Sequence, residues 1–224
     1  MKEAVKYNVL PIDDRVMERL DAKLVGRPDL MGDRMSLTLH AGMTGMSENA
    51  FINVKNRAVT FTADLEIPKG GANGVVLCQG GRFGGWSLHL KGGRPAYTYN
   101  FLGMQRTTIT ATQPVPAGKA TVKMDFAYDG GVGKGGVVTL SVNGKKAGQG
   151  RIERTQPGIF SVDDAADVGM DEGTPVLEDY QPRDTRFTGT IKKVVVEVKA
   201  MGEGDKAEAK KAAGEAARKL EETK

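Results

Sequence analysis

The chain has 224 residues, enough for one large β-sandwich or for two small domains. Its 32 lysines and arginines and 28 acidic residues give a net charge of +4, which is too small and too dispersed to indicate a nucleic-acid-binding surface. No apolar run approaches the ~18 residues that a membrane span requires. The N-terminus has no apolar signal core, so the chain as written is expected to stay in the cytoplasm.

The first 34 residues are expected to form a helical or irregular entry segment. Apolar positions lie at helical spacing among the charged residues of 13–20, which predicts a short surface helix there. Glycines and a proline between positions 26 and 32 then end it.

From residue 35 to residue 199 the apolar period changes to two, as in half-buried antiparallel strands. In the segment 57–68, Val59, Phe61 and Leu65 fall on one face and Thr60 and Thr62 on the other. GVVLCQ (74–79) is continuously apolar at its start, which is typical of a central strand. The alternation recurs in WSLHL (86–90), PAYTYNF (95–101), ATVKMDFAY (120–128) and GVVTLSVNGKK (136–146).

The turns and the last strand complete the fold prediction. Thirty glycines, many in GG and NG pairs, suit tight turns, and Asn143-Gly144 predicts a type I′ hairpin. In FTGTIKKVVVEVK (187–199), Ile191 is out of phase with Val194 and the valines after it, which predicts a bulge. We therefore predict an all-β, antiparallel β-sandwich of the jelly-roll or concanavalin A-like type over 35–199, with a closed barrel as the alternative. The charged tail 200–224 is expected to be helical or disordered.

Motifs of common catalytic centres are absent from the sequence. Only two histidines are present, His40 and His89, and His89 lies on the polar face of its strand, which predicts a surface position. GGRFGGWS lacks the ending of a phosphate-binding loop, and no nucleophile-elbow or H-E-x-x-H motif is present. The single cysteine, Cys78, closes an apolar run, so a buried core residue is favoured over a nucleophile.

Two clusters are candidate binding sites. The first is the acidic stretch 161–180, which is interpreted as a solvated loop or, alternatively, as a Ca²⁺ site. Its candidate ligands are Asp163, Asp164, Asp167, Asp171 and Glu172. The second is a group of aromatic and polar residues that are neighbours in the sequence, which is either part of the core or a platform for sugar rings on a sheet face. Its candidate ligand-binding residues are Arg82, Trp86, His89, Tyr97, Tyr99 and Asn100.

Several long stretches of the chain resemble the C-terminal region of bacterial arylsulfatases. They cover 54–103, VPAGK (115–119), 126–146, GRIERTQPGIFSVDDAADVGMDEGTPVLEDY (150–180) and FTGTIKKVVVEV (187–198). The entry stretch EAVKYNVLPIDDR (3–15) resembles the segment that closes the catalytic part of these enzymes, so 1–34 is assigned to that end. The DG…GKGG…VNGK and FTGTI elements also resemble concanavalin A-like or laminin-G-like sandwiches.

The resemblance implies sulfate-ester hydrolysis by a calcium-bound formylglycine made from a cysteine in a C-x-[PA]-S-R type motif. That motif is absent, because Cys78 is followed by Gln79, Gly80, Gly81 and Arg82. We therefore expect a non-catalytic module that packs on a sulfatase catalytic domain, in the same chain or in a separate one. A free-standing glycan-binding module is the alternative. Apart from Ca²⁺ no cofactor is expected, nucleic acid and membrane are not expected partners, and the location is periplasmic if the chain belongs to an exported arylsulfatase.

Overall fold

The structure, a computed structural model, describes residues 1–7, 26, 28–161, 163–180, 184–202, 204, 206–208 and 211. A short helix, α1, spans Lys2–Lys6, whereas the helix predicted over 13–20 lies outside the described residues. In the tail, residues 204, 206–208 and 211 have helical backbone, in line with the helical form of the prediction. None of the helices in the described part of the chain has the length and apolar character that crossing a membrane requires.

The described residues form eleven strands in two antiparallel sheets. They are β1 Ser36–Leu39, β2 Val59–Ile67, β3 Gly74–Gly81, β4 Gly84–Lys91, β5 Arg94–Phe101, β6 Gln105–Thr110, β7 Gly118–Tyr128, β8 Lys134–Val142, β9 Lys145–Arg154, β10 Ala166–Val168 and β11 Thr190–Val198. One sheet has the order β1-β11-β2-β7-β8-β9 and the other β10-β3-β4-β5-β6. The fold is therefore an all-β sandwich, as predicted.

The core lies between the two sheets, where the alternating sequences predicted it. On β2, every second residue from Val59 to Ile67 is buried. Phe61 stacks on Trp86 of the other sheet with 4.4 Å between ring centroids, and Trp86 in turn stacks on Tyr97 at 6.3 Å. The Phe61–Trp86 contact joins the two sheets, and together the three rings bury large apolar areas at the centre of the sandwich.

Two local predictions are confirmed by the backbone. Asn143 and Gly144 have φ angles of 49° and 77°, the positive pair that a type I′ turn requires. The pairing of β11 with β2 shifts its register between Ile191 and Lys193, which is the predicted bulge. The bulge lets Ile191 and Val194 both reach the buried side.

Three strands escaped the sequence analysis. β1 and β10 are only four and three residues long, too short for a periodic pattern to emerge. In β6 only Ile109 is buried, so the strand lacks the apolar alternation of its neighbours. β10 lies inside the acidic stretch that was interpreted as a solvated loop, and all three of its residues are buried.

Candidate functional site

The outer face of the five-stranded sheet, which faces away from the core, is covered by residues 169–180, here called the covering loop. Strands β3, β4 and β5 are consequently buried on both faces. Val176 of the covering loop packs with Val75 and Cys78 of β3 in a small second hydrophobic cluster. A sheet surface that the fold alone would leave open to ligands is therefore occupied by the chain itself.

Side-chain hydrogen bonds attach the covering loop to the sheet. Arg106 of β6 donates from Nε to the Val176 carbonyl at 3.0 Å and from Nη1 to the Glu178 carboxylate at 2.8 Å. At the other end, the Tyr180 hydroxyl donates to the Leu90 carbonyl at 2.9 Å. These contacts fix the covering loop at both sides of the sheet.

The aromatic members of the predicted ligand platform belong to the core. Trp86, Tyr97 and Tyr99 alternate on the inner faces of β4 and β5, and the indole of Trp86 is 1% exposed. The Tyr99 hydroxyl accepts a hydrogen bond from the Gln156 backbone N–H at 2.7 Å, which ties a loop to the core. A ring enclosed between two sheets has no free face for a sugar, so the core interpretation holds and the platform is not formed.

The polar members of that platform are also buried, with one exception. His89 is 2% exposed beneath the Tyr180 ring, so the expectation of a surface histidine is wrong. Its burial lowers the pKa of His89 to about 4, which keeps the imidazole neutral. Asn100 donates from Nδ2 to the carbonyls of Gly81 and Arg82 at 2.8 and 2.9 Å, so it braces the β3–β4 turn. Only Arg82 has an exposed side chain.

The structure divides the five predicted calcium ligands. Asp163 and Glu172 are exposed, and the Asp164 carboxylate accepts hydrogen bonds from the Thr174 backbone N–H at 3.1 Å and from its hydroxyl at 3.0 Å. Asp167 and Asp171 are buried, which makes the interpretation of this stretch as a solvated acidic loop wrong for them. The five carboxylates do not converge as one solvent-facing group.

Asp167 and Asp171 instead meet Cys78 beneath the covering loop. One potential ligand atom from each of these three side chains lies within 4.8 Å of the other two. Asp167 accepts backbone N–H bonds from Gly45 at 2.8 Å and from Glu172 at 3.0 Å. We call these three residues the buried Cys–Asp group.

Burial dominates the acid–base properties of the buried Cys–Asp group. It raises the pKa of Asp171 to about 7, although the Val176 backbone N–H bond and the nearby Cys78 thiol act in the opposite direction. The pKa of Asp167 is also raised by burial, and that of Cys78 is raised first by burial and then by the two carboxylates. A neutral thiol of this kind is a poor nucleophile, which agrees with the interpretation of Cys78 as non-catalytic.

A polar cleft opens beside this region, between the segment 45–55 and the loop 157–165. It has a volume of about 620 Å³, and its lining includes Asn49, Asn53, Asp163 and Asp164. At its base Lys55 pairs with Glu48, and the Lys55 ammonium lies 5.0 Å from the Phe160 ring centroid. The cleft offers amide and carboxylate oxygens but little aromatic surface.

Among the described residues, exposed large apolar side chains occur in the sequence segment 1–43 and on two neighbouring turns. Six of them lie in 1–43: Met1, Val5, Tyr7, Leu30, Met35 and Met43. The other three, Phe83, Leu102 and Met104, lie on the β3–β4 and β5–β6 turns and are here called the apolar tip. A Cβ added to Gly103 would stand 3.6 Å from Phe83 Cα, which shows that the two turns touch. Sequence analysis missed the apolar tip because each residue is isolated in a glycine-rich turn.

The fold is similar to solved structures of low sequence identity. The CBM40 module of a Ruminococcus gnavus IT-sialidase bound to α2,3 sialyllactose aligns at 12% identity with a TM-score of 0.50, over 76% of this chain and 93% of that chain. The LG4-5 domains of the mouse laminin α1 chain align at 15% identity and a TM-score of 0.44, over 75% of this chain and 40% of that chain. The present chain thus spans less than half of that laminin structure.

A leech intramolecular trans-sialidase aligns at 11% identity with a TM-score of 0.47, over 79% of this chain and 27% of that chain. No protein-family model and no curated protein matches the sequence. What the similarity to CBM40 shows is the fold, an antiparallel β-sandwich.

Proposed function

We propose that this chain is a non-catalytic β-sandwich module that docks on an arylsulfatase-type catalytic domain. The observation that carries the proposal is the distribution of exposed large apolar side chains, which within the described part of the chain lie in 1–43 and on the apolar tip. The stretch 3–15 in the first of these places resembles the end of an arylsulfatase catalytic part. Contiguous exposed apolar side chains on a folded domain mark contact surfaces for other protein.

The apolar tip has the form of a docking surface. Phe83 is 72% exposed and Met104 is 68% exposed, yet both stand on turns held rigidly by Asn100 and Arg106. Arg106 donates from Nη2 to the Arg82 carbonyl at 3.0 Å, so the two turns are joined behind their exposed side chains. Pre-organised aromatic and methionine side chains cost little conformational entropy when a partner covers them.

A binding measurement tests the proposal. The full chain is titrated by calorimetry into the catalytic part of a bacterial arylsulfatase of the family it resembles, produced without its own C-terminal region. We expect a 1:1 complex, and we expect the double substitution Phe83→Ser, Met104→Ser to weaken it by at least about tenfold, since each side chain loses buried apolar area. Lys145→Ser, at the start of β9 in the other sheet, is the matched control and should leave the affinity unchanged.

Two results would count against docking. One is the absence of any complex with the wild-type chain. The other is a complex that the double substitution and the control weaken equally, because the apolar tip would then not be the contact. Circular dichroism of each variant verifies that the sandwich is intact.

A glycan-binding module is the second candidate, favoured by the polar cleft of about 620 Å³. Its amide and carboxylate oxygens suit the hydroxyl groups of a sugar. A glycan array separates the two functions. Binding that disappears with Asn49→Ala and Asn53→Ala but persists in the Phe83→Ser, Met104→Ser variant would favour the glycan-binding function.

A further inference from the structure

The buried Cys–Asp group contains polar atoms that the surrounding protein leaves without partners. Asp171 is 3% exposed, and no N–H or O–H group among the described residues donates to its buried Oδ1 atom, although the carboxylate does interact with the weakly donating Cys78 thiol. Its other oxygen, Oδ2, accepts the Val176 N–H at 2.9 Å, which fixes the carboxylate in place. A fixed and buried oxygen without a partner is costly, and native proteins usually supply it with water or an ion.

A second unpartnered oxygen lies beside the same thiol. Ser87 on β4 is the register partner of Cys78 on β3, so both side chains project from the outer face of the sheet as near neighbours. The Ser87 hydroxyl is buried and, like Asp171 Oδ1, has no hydrogen-bond partner among the described residues. Two unpartnered oxygens therefore flank Cys78.

The charges around the group call for a cation. Asp167 and Asp171 are both buried, and each has a carboxylate oxygen within 4.8 Å of the Cys78 sulfur and of the other carboxylate. Among the described residues, no lysine or arginine forms an ion pair with either carboxylate. Buried carboxylates without a cationic side chain are normally neutralised by a proton or by a metal ion.

We propose that Cys78, Asp167 and Asp171 form a binding site for one Zn²⁺ ion. Their ligand atoms already lie within 4.8 Å of one another, whereas ligand atoms on a tetrahedral zinc ion stand roughly 3.5 Å apart. The longest of these distances therefore needs to shorten by up to about 1 Å when the ion binds. A water molecule is the candidate fourth ligand, and the buried Ser87 hydroxyl beside Cys78 is the group that would hold it.

The sulfur ligand selects the metal. Ca²⁺ and Mg²⁺ take oxygen ligands, whereas a thiolate favours zinc and related softer ions. On binding, the Cys78 thiol loses its proton to solvent, as does Asp171 in the fraction of molecules where it is protonated, and the thiolate and carboxylate charges then face Zn²⁺. This site differs from the predicted calcium site, since Asp163 and Glu172 are exposed and Asp164 is engaged with Thr174.

Metal titration of the full chain tests the site. After treatment with a chelator, the chain is titrated by calorimetry with ZnCl₂ and by ultraviolet absorption with CdCl₂. We expect one ion per chain, a higher melting temperature with Zn²⁺, and a thiolate-to-metal charge-transfer band with Cd²⁺. Cys78→Ala should abolish the band and weaken Zn²⁺ binding by at least about tenfold, because even residues that only support metal ligands cost that much.

Asp171→Asn is the second variant, since it keeps the size and the Val176 hydrogen bond while removing the charge. It should weaken Zn²⁺ binding by at least about tenfold. Asp163→Asn, an exposed carboxylate of the same acidic stretch, is the matched control and should bind as the wild type does. The proposal is overturned if the wild-type chain binds no Zn²⁺. It is also overturned if Cys78→Ala and Asp163→Asn bind Zn²⁺ equally well, or if Cd²⁺ gives no thiolate band.

Discussion

Both faces of strands β3, β4 and β5 in the five-stranded sheet are buried, but they are built from different chemistry. Its inner face presents Trp86, Leu88 and Tyr97 to the opposite sheet. Its outer face presents Ser87, His89 and Thr98, which are also almost fully buried, beneath the covering loop. Alternate residues of β4 and β5 therefore contact either a sheet or a loop.

The two faces are held by different forces. Burial of apolar area stabilises the inner face, and this effect does not depend on the orientation of individual contacts. The outer face depends on individual hydrogen bonds, such as the 2.7 Å bond between the hydroxyls of Thr98 and Thr108 and the three that Asn100 makes. Substitutions on the inner face should therefore lower the free energy of unfolding through lost apolar burial and the cavity left behind. Substitutions on the outer face should lower it through the loss of one hydrogen bond or the change of one ionisation each.

The largest expected effect is that of Trp86→Ala on the inner face. The substitution leaves a cavity between Phe51, Phe61 and Tyr97, and we expect it to lower the free energy of unfolding by about 3–5 kcal/mol. Guanidinium denaturation followed by circular dichroism measures it. Ser87→Ala, at the next residue of the same strand, is the matched control and should cost less than about 1 kcal/mol, because its buried hydroxyl has no partner among the described residues.

Equal losses for Trp86→Ala and Ser87→Ala would contradict the contrast between the faces. Trp86→Phe provides a second check, since it keeps an aromatic ring and removes an indole N–H that has no hydrogen-bond partner among the described residues. It should cost clearly less than Trp86→Ala.

The inner face could be predicted from the sequence because its causes are local. Alternation in 57–67 and 120–128 identifies the core residues, and the out-of-phase Ile191 identifies the bulge. Asn143-Gly144 identifies a turn from two residues alone. Each of these patterns lies within one strand or one turn, so the sequence contains all the information needed.

The outer face could not be predicted because its burial is not local. His89 has a polar position in the alternation, and its burial involves Tyr180, a residue distant in the sequence whose ring packs against the imidazole. The covering loop has no apolar period of its own, so nothing in 169–180 indicates that it lies on a sheet. For the same reason the acidic residues were grouped by sequence proximity, while the structure groups Asp167 and Asp171 with Cys78, some 89 positions before Asp167.

The pH dependence of stability gives the second expected effect, on the outer face. Because burial lowers the pKa of His89 from 6.5 to about 4, the unfolded chain binds a proton there more readily than the folded chain. The stabilisation from a neutral His89 is therefore complete above pH 6.5 and is lost as the pH falls toward 4. The pKa difference corresponds to roughly 3 kcal/mol between pH 7 and pH 4.

Comparison with His89→Gln isolates this effect from the other groups that face it. Lys91 and Asp179 shift the pKa of His89 weakly and in opposite directions. Asp171 gives stability the opposite pH dependence, because its raised pKa favours the folded state at low pH. The difference in free energy of unfolding between wild type and His89→Gln should fall by about 3 kcal/mol from pH 7 to pH 4. A difference independent of pH would mean that His89 is solvated.

Tyr180→Phe gives the smallest expected effect and tests how the covering loop is attached. The substitution removes the 2.9 Å hydrogen bond to the Leu90 carbonyl but keeps the ring over His89, so it should cost about 1 kcal/mol. Denaturation in urea measures that loss, and amide hydrogen exchange should show faster opening of 176–180 with unchanged protection of the core strands β2 and β7. Faster exchange throughout both sheets would instead show that the covering loop and the core unfold as one unit, so that the two faces are not separable.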